Sequence, residues 1–303
     1  MKIVFIGAGA IGGYYGGQLA KAGHDITYVV RPATREIIDE EGLTLISPEG
    51  TEKVSNIATV GSLDEVESAD LVVSSIKIFG EPALPEKLPE GAVFMTTENS
   101  VEYPLLAQEK YGAQRFIPAV VRAFIHREGP ATAHHMGGVL ALSFGSLDPA
   151  TEPVVQKLHE ALAETPIKAK IHPDILSDVW MKAMMVTCFG ALGAVLEKPI
   201  GVLRTDFRES LRALMVEAAA TATAAGIELK EGTVDKVMSF VDQQPADSTS
   251  SMQRDILEGL ASELDSQVGG IVRIAKNSGA SAPLHQLVWD ALATKSAKLR
   301  GEN

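Results

Sequence analysis

A cluster of glycines directly after a short apolar run constrains this chain more than any other feature. Lys2-Ile3-Val4-Phe5-Ile6 reads as a buried strand that ends in Gly7-Ala8-Gly9-Ala10-Ile11-Gly12. Glycines at the first, third and sixth positions of a strand-to-helix turn form the arrangement that binds a dinucleotide. Gly7 permits the tight turn, and Gly9 lets the backbone approach a pyrophosphate. Gly12 lets the following helix pack close to the strand. Ala8, Ala10 and Ile11 complete the loop, whose N–H groups face the phosphates at the helix N-terminus. The spacing alone would say little, but here the strand before it and the helix after it are both present. A chain that begins this way is expected to be α/β, with a Rossmann-type parallel sheet.

The helix after Gly12 should run through Tyr14 to about Ala22 and stop at Gly23. Asp25 to Val30 then reads as the second strand. The residue that follows such a strand reads the adenosine ribose. A carboxylate there accepts from the 2′-hydroxyl of NAD, and an arginine accommodates the 2′-phosphate of NADP. This chain has Arg31, then Pro32, with Arg35 close behind and no carboxylate at the strand end. NADP(H) is therefore the expected cofactor.

Leu43 to Val60, with Pro48-Glu49-Gly50 as a turn, reads as an antiparallel excursion. Asp70 to Ile76 and Ala92 to Thr97 read as further buried strands, followed by Lys77 and by Glu98-Asn99-Ser100. Ligands of open parallel sheets bind beyond the C-terminal strand ends. Lys77 is thus a candidate for holding a phosphate or a substrate carboxylate. Asn99 is a candidate for bonding the nicotinamide or positioning a catalytic group. The region from Phe116 to Gly145 has more β-like runs, with His134 and His135 read as loop residues. No third ligand stands near this pair and Cys188 is the single cysteine, so no metal is expected.

The pattern changes near Ile171-His172-Pro173, where strand signals give way to helical periodicity. Two domains are drawn here: residues 1–171 for the dinucleotide and 172–303 as a helical, substrate-binding domain. A helix should carry Ile175, Leu176, Val179 and Trp180, and another should span Leu211 to Ala225 before Gly226. Ser250 to Asn277 reads as one long amphipathic helix. Lys182, set among Trp180, Met181, Ala183, Met184 and Met185, either snorkels to solvent or faces a functional cleft. Glu263 would lie mid-helix, with Ser251 and Asp255 on roughly the same face.

A chain of 303 residues accommodates two domains, and 46% hydrophobic with 22% charged residues is a globular composition. The chain opens on a strand rather than a leader, and no apolar run reaches the roughly 18 residues that span a bilayer. A cytoplasmic protein without a membrane partner is expected. The net charge of −12 argues against nucleic acid and leaves anionic ligands to local cations.

Taken together, these residues resemble the ketopantoate reductases (2-dehydropantoate 2-reductases) over essentially the whole chain. The likeness rests on Gly7 to Gly12, Arg31, Lys77 and Glu98-Asn99-Ser100-Val101. It extends to Trp180-Met181-Lys182, Ser250-Ser251-Met252 with Asp255, and Ser262-Glu263-Leu264-Asp265. The glycine motif is common to many dehydrogenases, whereas the lysine setting and the later Ser-Ser-Met and Glu are much more specific. The resemblance implies a Rossmann NADP domain, a helical substrate domain, and reduction of a 2-oxo acid by NADPH in pantothenate biosynthesis. It implies that Lys182 is the catalytic lysine and that Glu263 binds a substrate hydroxyl. It also implies that Asn99 helps place the lysine or the nicotinamide and that Ser251 contacts the substrate carboxylate. A homodimer through the helical half is compatible with the resemblance, although no interface is legible in the sequence itself.

The chain departs from the family pattern one and two turns after the lysine. Asparagines that meet the substrate are usual there, and this chain has Val186 and Gly190, at i+4 and i+8 from Lys182. The family's Asn-Gly turn is Asn99-Ser100. Fewer amides make a less polar substrate site that favours a hydroxylated substrate less. A related reductase of a more apolar 2-oxo acid therefore stands beside ketopantoate reduction; a non-catalytic NADP-binding sensor is a third reading, against which the retained Lys182 and Glu263 speak.

Overall fold

The computed structural model describes residues 1–80 and 82–301. The chain divides into two compact units. The first comprises Met1–Lys77, Ala83–Glu98 and Pro104–Ile175, and the second Ile78–Pro82, Asn99–Tyr103 and Leu176–Asn303. The architecture is α/β with a helical C-terminal part. Two short segments that follow strands of the first unit, 78–82 and 99–103, group with the helices of the second.

The first unit is built on one ten-stranded sheet. Its parallel part runs β8 (Phe116–Gly129), β7 (Val93–Thr96), β6 (Leu71–Ser74), β1 (Lys2–Ile6), β2 (Asp25–Val29) and β5 (Ala58–Val60). Ile3 pairs with Ile26 on one side and Leu71 on the other. Ile3, Val4, Leu71 and Val72 are fully buried, as expected of strands covered on both faces. Helix α1 (Ala10–Lys21) covers this sheet, and α2 (Pro32–Glu41), α3 (Glu102–Tyr111) and α4 (Glu152–Ala163) follow other strands.

Beyond β8 the sheet continues through β9 (Thr132–Phe144), which pairs antiparallel with β8. Next comes β3 (Leu43–Ser47), parallel to β9, and β4 (Gly50–Val54), antiparallel to β3. Strand β10 (Lys168–Ile171) pairs with β9. The hairpin expected at Pro48-Glu49 is present. Ala58–Val60, read as part of the same antiparallel excursion, instead returns parallel to β2.

His134 and His135, expected in a loop, lie within β9, where they pair with His126 and Ile125 of β8. The ring of His134 bonds Glu128, and His135 is buried against Tyr14. The outer half of this hairpin has one solvated face, whose polar residues break up the apolar run and disguise a strand.

The second unit is helical: α5 (Ile175–Leu196), α6 (Ile200–Leu203), α7 (Arg208–Ala224), α8 (Thr233–Asp242), α9 (Ser251–Leu257), α10 (Gly270–Asn277) and α11 (Pro283–Leu299). Helix α5 is long and apolar enough to cross a membrane by length and composition, yet 67% of its most apolar window is buried inside the protein. That burial is the signature of a core helix, apolar nearly all round.

The single helix expected over Ser250 to Asn277 is two. Gly259, at φ +69, closes α9, with Gly259 N–H bonding Ile256 O and Leu260 N–H bonding Asp255 O. This is a glycine stop in the left-handed conformation. The chain is non-helical from Leu260 to Glu263, then passes through a π-helical stretch, Asp265–Gly269, into α10. Glu263 therefore stands at a bend rather than mid-helix. The common face with Ser251 and Asp255 does not exist, because helical spacing is interrupted between them.

Candidate functional site

In the first unit, the glycine turn is shaped by three different constraints. Gly7, at φ +94, has the backbone conformation that L side chains rarely adopt, and a Cβ there would lie 2.9 Å from Ile76 Cγ2. A Cβ on Gly12 would sit 2.2 Å from Gly7 O and from Ser75 Oγ, so only glycine lets the first turn of α1 reach the strand. A Cβ on Gly9 would meet nothing within 4 Å. Two glycines are closed by packing and the middle one is open, as a backbone cradle for a phosphate requires.

Helix α1 begins at Ala10, three residues before the Gly13 start expected. Gly9 is its N-cap, with no side-chain cap and no acidic residue in the first turn. Its terminal N–H groups and the helix dipole favour an anion there. The residues present thus fit a dinucleotide pyrophosphate.

The Gly7 N–H donates to Val29 O at 3.0 Å, which holds the turn beside the end of β2. Two residues beyond Val29 stands Arg31, exposed and at the N-cap of α2, with Pro32 opening the helix. Arg35, also exposed, pairs with Asp39 at 3.6 Å. Lys77 is exposed after β6. Ser75, which precedes it by two residues, places its hydroxyl 3.0 Å from Gly7 O and 3.1 Å from Ile6 O. Ser75 is a site-shaping residue that sequence reading missed; its only signal was a polar residue at a buried strand's end.

In the second unit, Lys182 is half-buried on α5, beside the buried Trp180, Ala183 and Met184. Val186 is half-buried one turn on, and Gly190 is buried. A Cβ on Gly190 would lie 2.3 Å from Ser250 Oγ and 2.9 Å from Ser250 Cβ. The space is filled by a serine that caps α9 by accepting from Gln253 N–H at 3.0 Å. Gly190 is therefore a close-packing position between α5 and α9, where loss of an amide leaves no hole. Ser251 is half-buried at the first position of α9.

Glu263 is 6% exposed and accepts from the Ile78 N–H at 3.4 Å. The Ser266 hydroxyl lies 3.2 Å from Ile78 O, so Ile78 is tied to the Glu263 bend at two points. Asn99, half-buried, precedes Ser100. The Ser100 hydroxyl donates to Ser266 O at 3.1 Å and accepts from the N–H groups of Glu102 and Tyr103, each at 3.2 Å. The structure thus brings the segments carrying Asn99 and Glu263 onto one turn. Ser266 joins them and was not singled out in the sequence, because a serine beside a bend carries no periodic signal. Among the described residues, no group of three or more His, Cys, Asp or Glu is placed to hold a metal ion.

Comparison with known proteins places these features in one family. The model described as ketopantoate reductase PanE/ApbA matches residues 3–149, and its C-terminal counterpart matches residues 174–296. A 2-dehydropantoate 2-reductase of Mesorhizobium japonicum is 26% identical over 328 aligned positions, covering 99% of each chain. The crystal structure of a PanE/ApbA family ketopantoate reductase from Ralstonia eutropha JMP134 superposes with TM-score 0.83. It is 24% identical and covers 99% of this chain and 100% of that one. A D-mandelate dehydrogenase in a ternary structure with NADH and anilino(oxo)acetate has the same fold. Its TM-score is 0.83 at 19% identity, with 99% of this chain and 100% of that chain covered.

Proposed function

The chain belongs to the ketopantoate reductase family, and from that premise we propose that it reduces a 2-oxo acid to the 2-hydroxy acid with NADPH. Its nominal reaction is 2-dehydropantoate to pantoate, a step of pantothenate biosynthesis. The observation that carries this reading is the glycine turn, closed at Gly7 and Gly12 and open at Gly9, with Arg31 two residues past the strand end bonded to it.

NADPH, when bound, would supply the hydride for the carbonyl carbon. Lys182 donates the proton to the carbonyl oxygen and stabilises the negative charge that develops there. Its half-buried setting on an apolar helix strengthens that interaction relative to water. Asn99 orients the reacting groups, Glu263 accepts from a substrate hydroxyl, and Ser251 donates to the substrate carboxylate. Arg31 pairs with the 2′-phosphate and Lys77 with another anionic group of the cofactor.

A second reading keeps this chemistry and changes the substrate to a more apolar 2-oxo acid. Val186, half-buried one turn after Lys182, offers no hydrogen bond to a substrate. A neighbour of this fold holds NADH and an aromatic oxo acid amide. The test follows NADPH oxidation with 2-dehydropantoate and phenylglyoxylate side by side. Faster turnover of the first supports the nominal reaction, and faster turnover of the second supports the alternative. Tight NADPH binding without turnover of any oxo acid would identify a sensor and overturn both.

A further inference from the structure

Arg273, on α10, has no place in the roles assigned above, yet it makes four hydrogen bonds beside the Glu263 bend. Its Nε and Nη2 donate to the two carboxylate oxygens of Glu102, each at 2.7 Å. Its Nη1 donates to Asp265 Oδ1 and its Nη2 to Asp265 O, each at 3.1 Å. The guanidinium lies 5.8 Å from the centre of the Trp289 ring. A planar fork is used on one edge for Glu102 and on the other for Asp265, which a lysine cannot reproduce.

The backbone around it is cleared for this arrangement. A Cβ on Gly269 would lie 3.0 Å from Arg273 Nη1, Asp265 Oδ1 and Trp289 Cε2 alike. One on Gly270 would lie 3.3 Å from Glu102 Cβ. The turn being gripped is the π-helical stretch Asp265–Gly269, a geometry rare in general and frequent at functional sites. The Glu102 side chain is only 13% exposed, and burying a carboxylate costs solvation that an apolar pair would avoid. Stability alone is a weak reason for such a pair; fixing one arrangement of two segments is a better one.

We propose that Arg273 is the positioning residue of this site. It holds the 99–102 segment against the Asp265–Gly269 turn and thereby sets where Asn99 stands relative to Glu263. The proposal rests on reading Asn99 and Glu263 as site residues. Ser100 reaches the same turn through one hydrogen bond to Ser266 O, and Arg273 adds to that segment a two-point grip on Glu102 that fixes direction as well as distance.

The test compares wild type with Arg273→Lys, Arg273→Met and Glu102→Gln. It measures NADPH affinity, thermal melting, NADPH oxidation with the 2-oxo acid that wild type turns over fastest, and amide exchange over residues 99–103. Arg273→Lys should keep NADPH affinity within about twofold and lower kcat by about tenfold or more, with KM changed less. Exchange at 99–103 should quicken by about tenfold, while β1 and α1 keep wild-type protection. Combining Glu102→Gln with Arg273→Lys should add little further loss, because both remove one interaction. Unchanged exchange at 99–103 overturns the proposal whether or not the protein turns over a substrate. So does a fall in kcat that merely tracks the unfolded fraction. If wild type reduces no 2-oxo acid the functional reading fails, and the exchange result still decides whether Arg273 holds the segment.

Discussion

At Lys182 and Arg31 the proposal comes down to two cations. Replacing Lys182 with alanine removes the proton donor and the charge that meets the developing alkoxide. Turnover should fall by about 10²- to 10⁴-fold, while NADPH affinity measured by fluorescence stays at the wild-type value. Arg31→Asp should weaken NADPH about tenfold to a hundredfold, the worth of a charge-assisted contact, and leave NADH almost untouched. Equal weakening of both cofactors would remove the 2′-phosphate from the account. Lys182 and Arg31 stand out in the sequence because a local pattern marks each: a lysine two after a tryptophan, and the residue after a strand. Ser75, Ser266 and Arg273 do not, because their partners Gly7, Ser100 and Glu102 are distant in the chain.

Among the elements, α7 and α11 are joined by a buried pair. Glu217 accepts from His285 Nδ1 at 2.7 Å, from the His285 N–H at 2.8 Å and from the Leu284 N–H at 3.0 Å. Burial pushes the Glu217 carboxyl up, but the His285 side-chain bond and the two backbone bonds outweigh it and hold the group below its ordinary value of 4.5. A carboxyl depressed in the folded state contributes its full stability above that value and loses it as pH falls through the lower, folded one. Glu217→Ala leaves the donors of Leu284 and His285 without their acceptor and should cost about 1–3 kcal/mol at neutral pH in urea unfolding, and the difference from wild type should shrink in acid. An equal difference at both pH values would argue that packing, not charge, is what the glutamate supplies. The strand and helix periods of β1, β2, β6, α1 and α7 were legible, since each buries one continuous apolar face or both. The break between α9 and α10 was missed because Gly259 sits inside an otherwise helical pattern, and only its φ of +69 marks the stop.

Across the whole molecule, Cys188 offers a reporter. It is fully buried in α5, and burial pushes its thiol well above the ordinary range, with Glu217 nearby adding to the shift. The thiolate that reacts is thus suppressed in the folded protein. Labelling by a thiol reagent in native buffer should run about a thousandfold or more slower than in urea, at the rate at which the helical unit opens. Rapid native labelling would show that α5 is not the stable core its burial describes.

The sequence by itself determined the α/β start, the glycine turn between β1 and α1 and the change to helices after residue 171. All of these are written in contiguous spacing. Only the tertiary structure decided that residues 78–82 and 99–103 leave the strand-rich unit to join the helical one. The same holds for Ser250 filling the space at Gly190 and for Arg273 gripping the turn beside Glu263. Those outcomes depend on side chains 60 or more positions apart meeting in space, and spacing along a chain carries no record of such meetings.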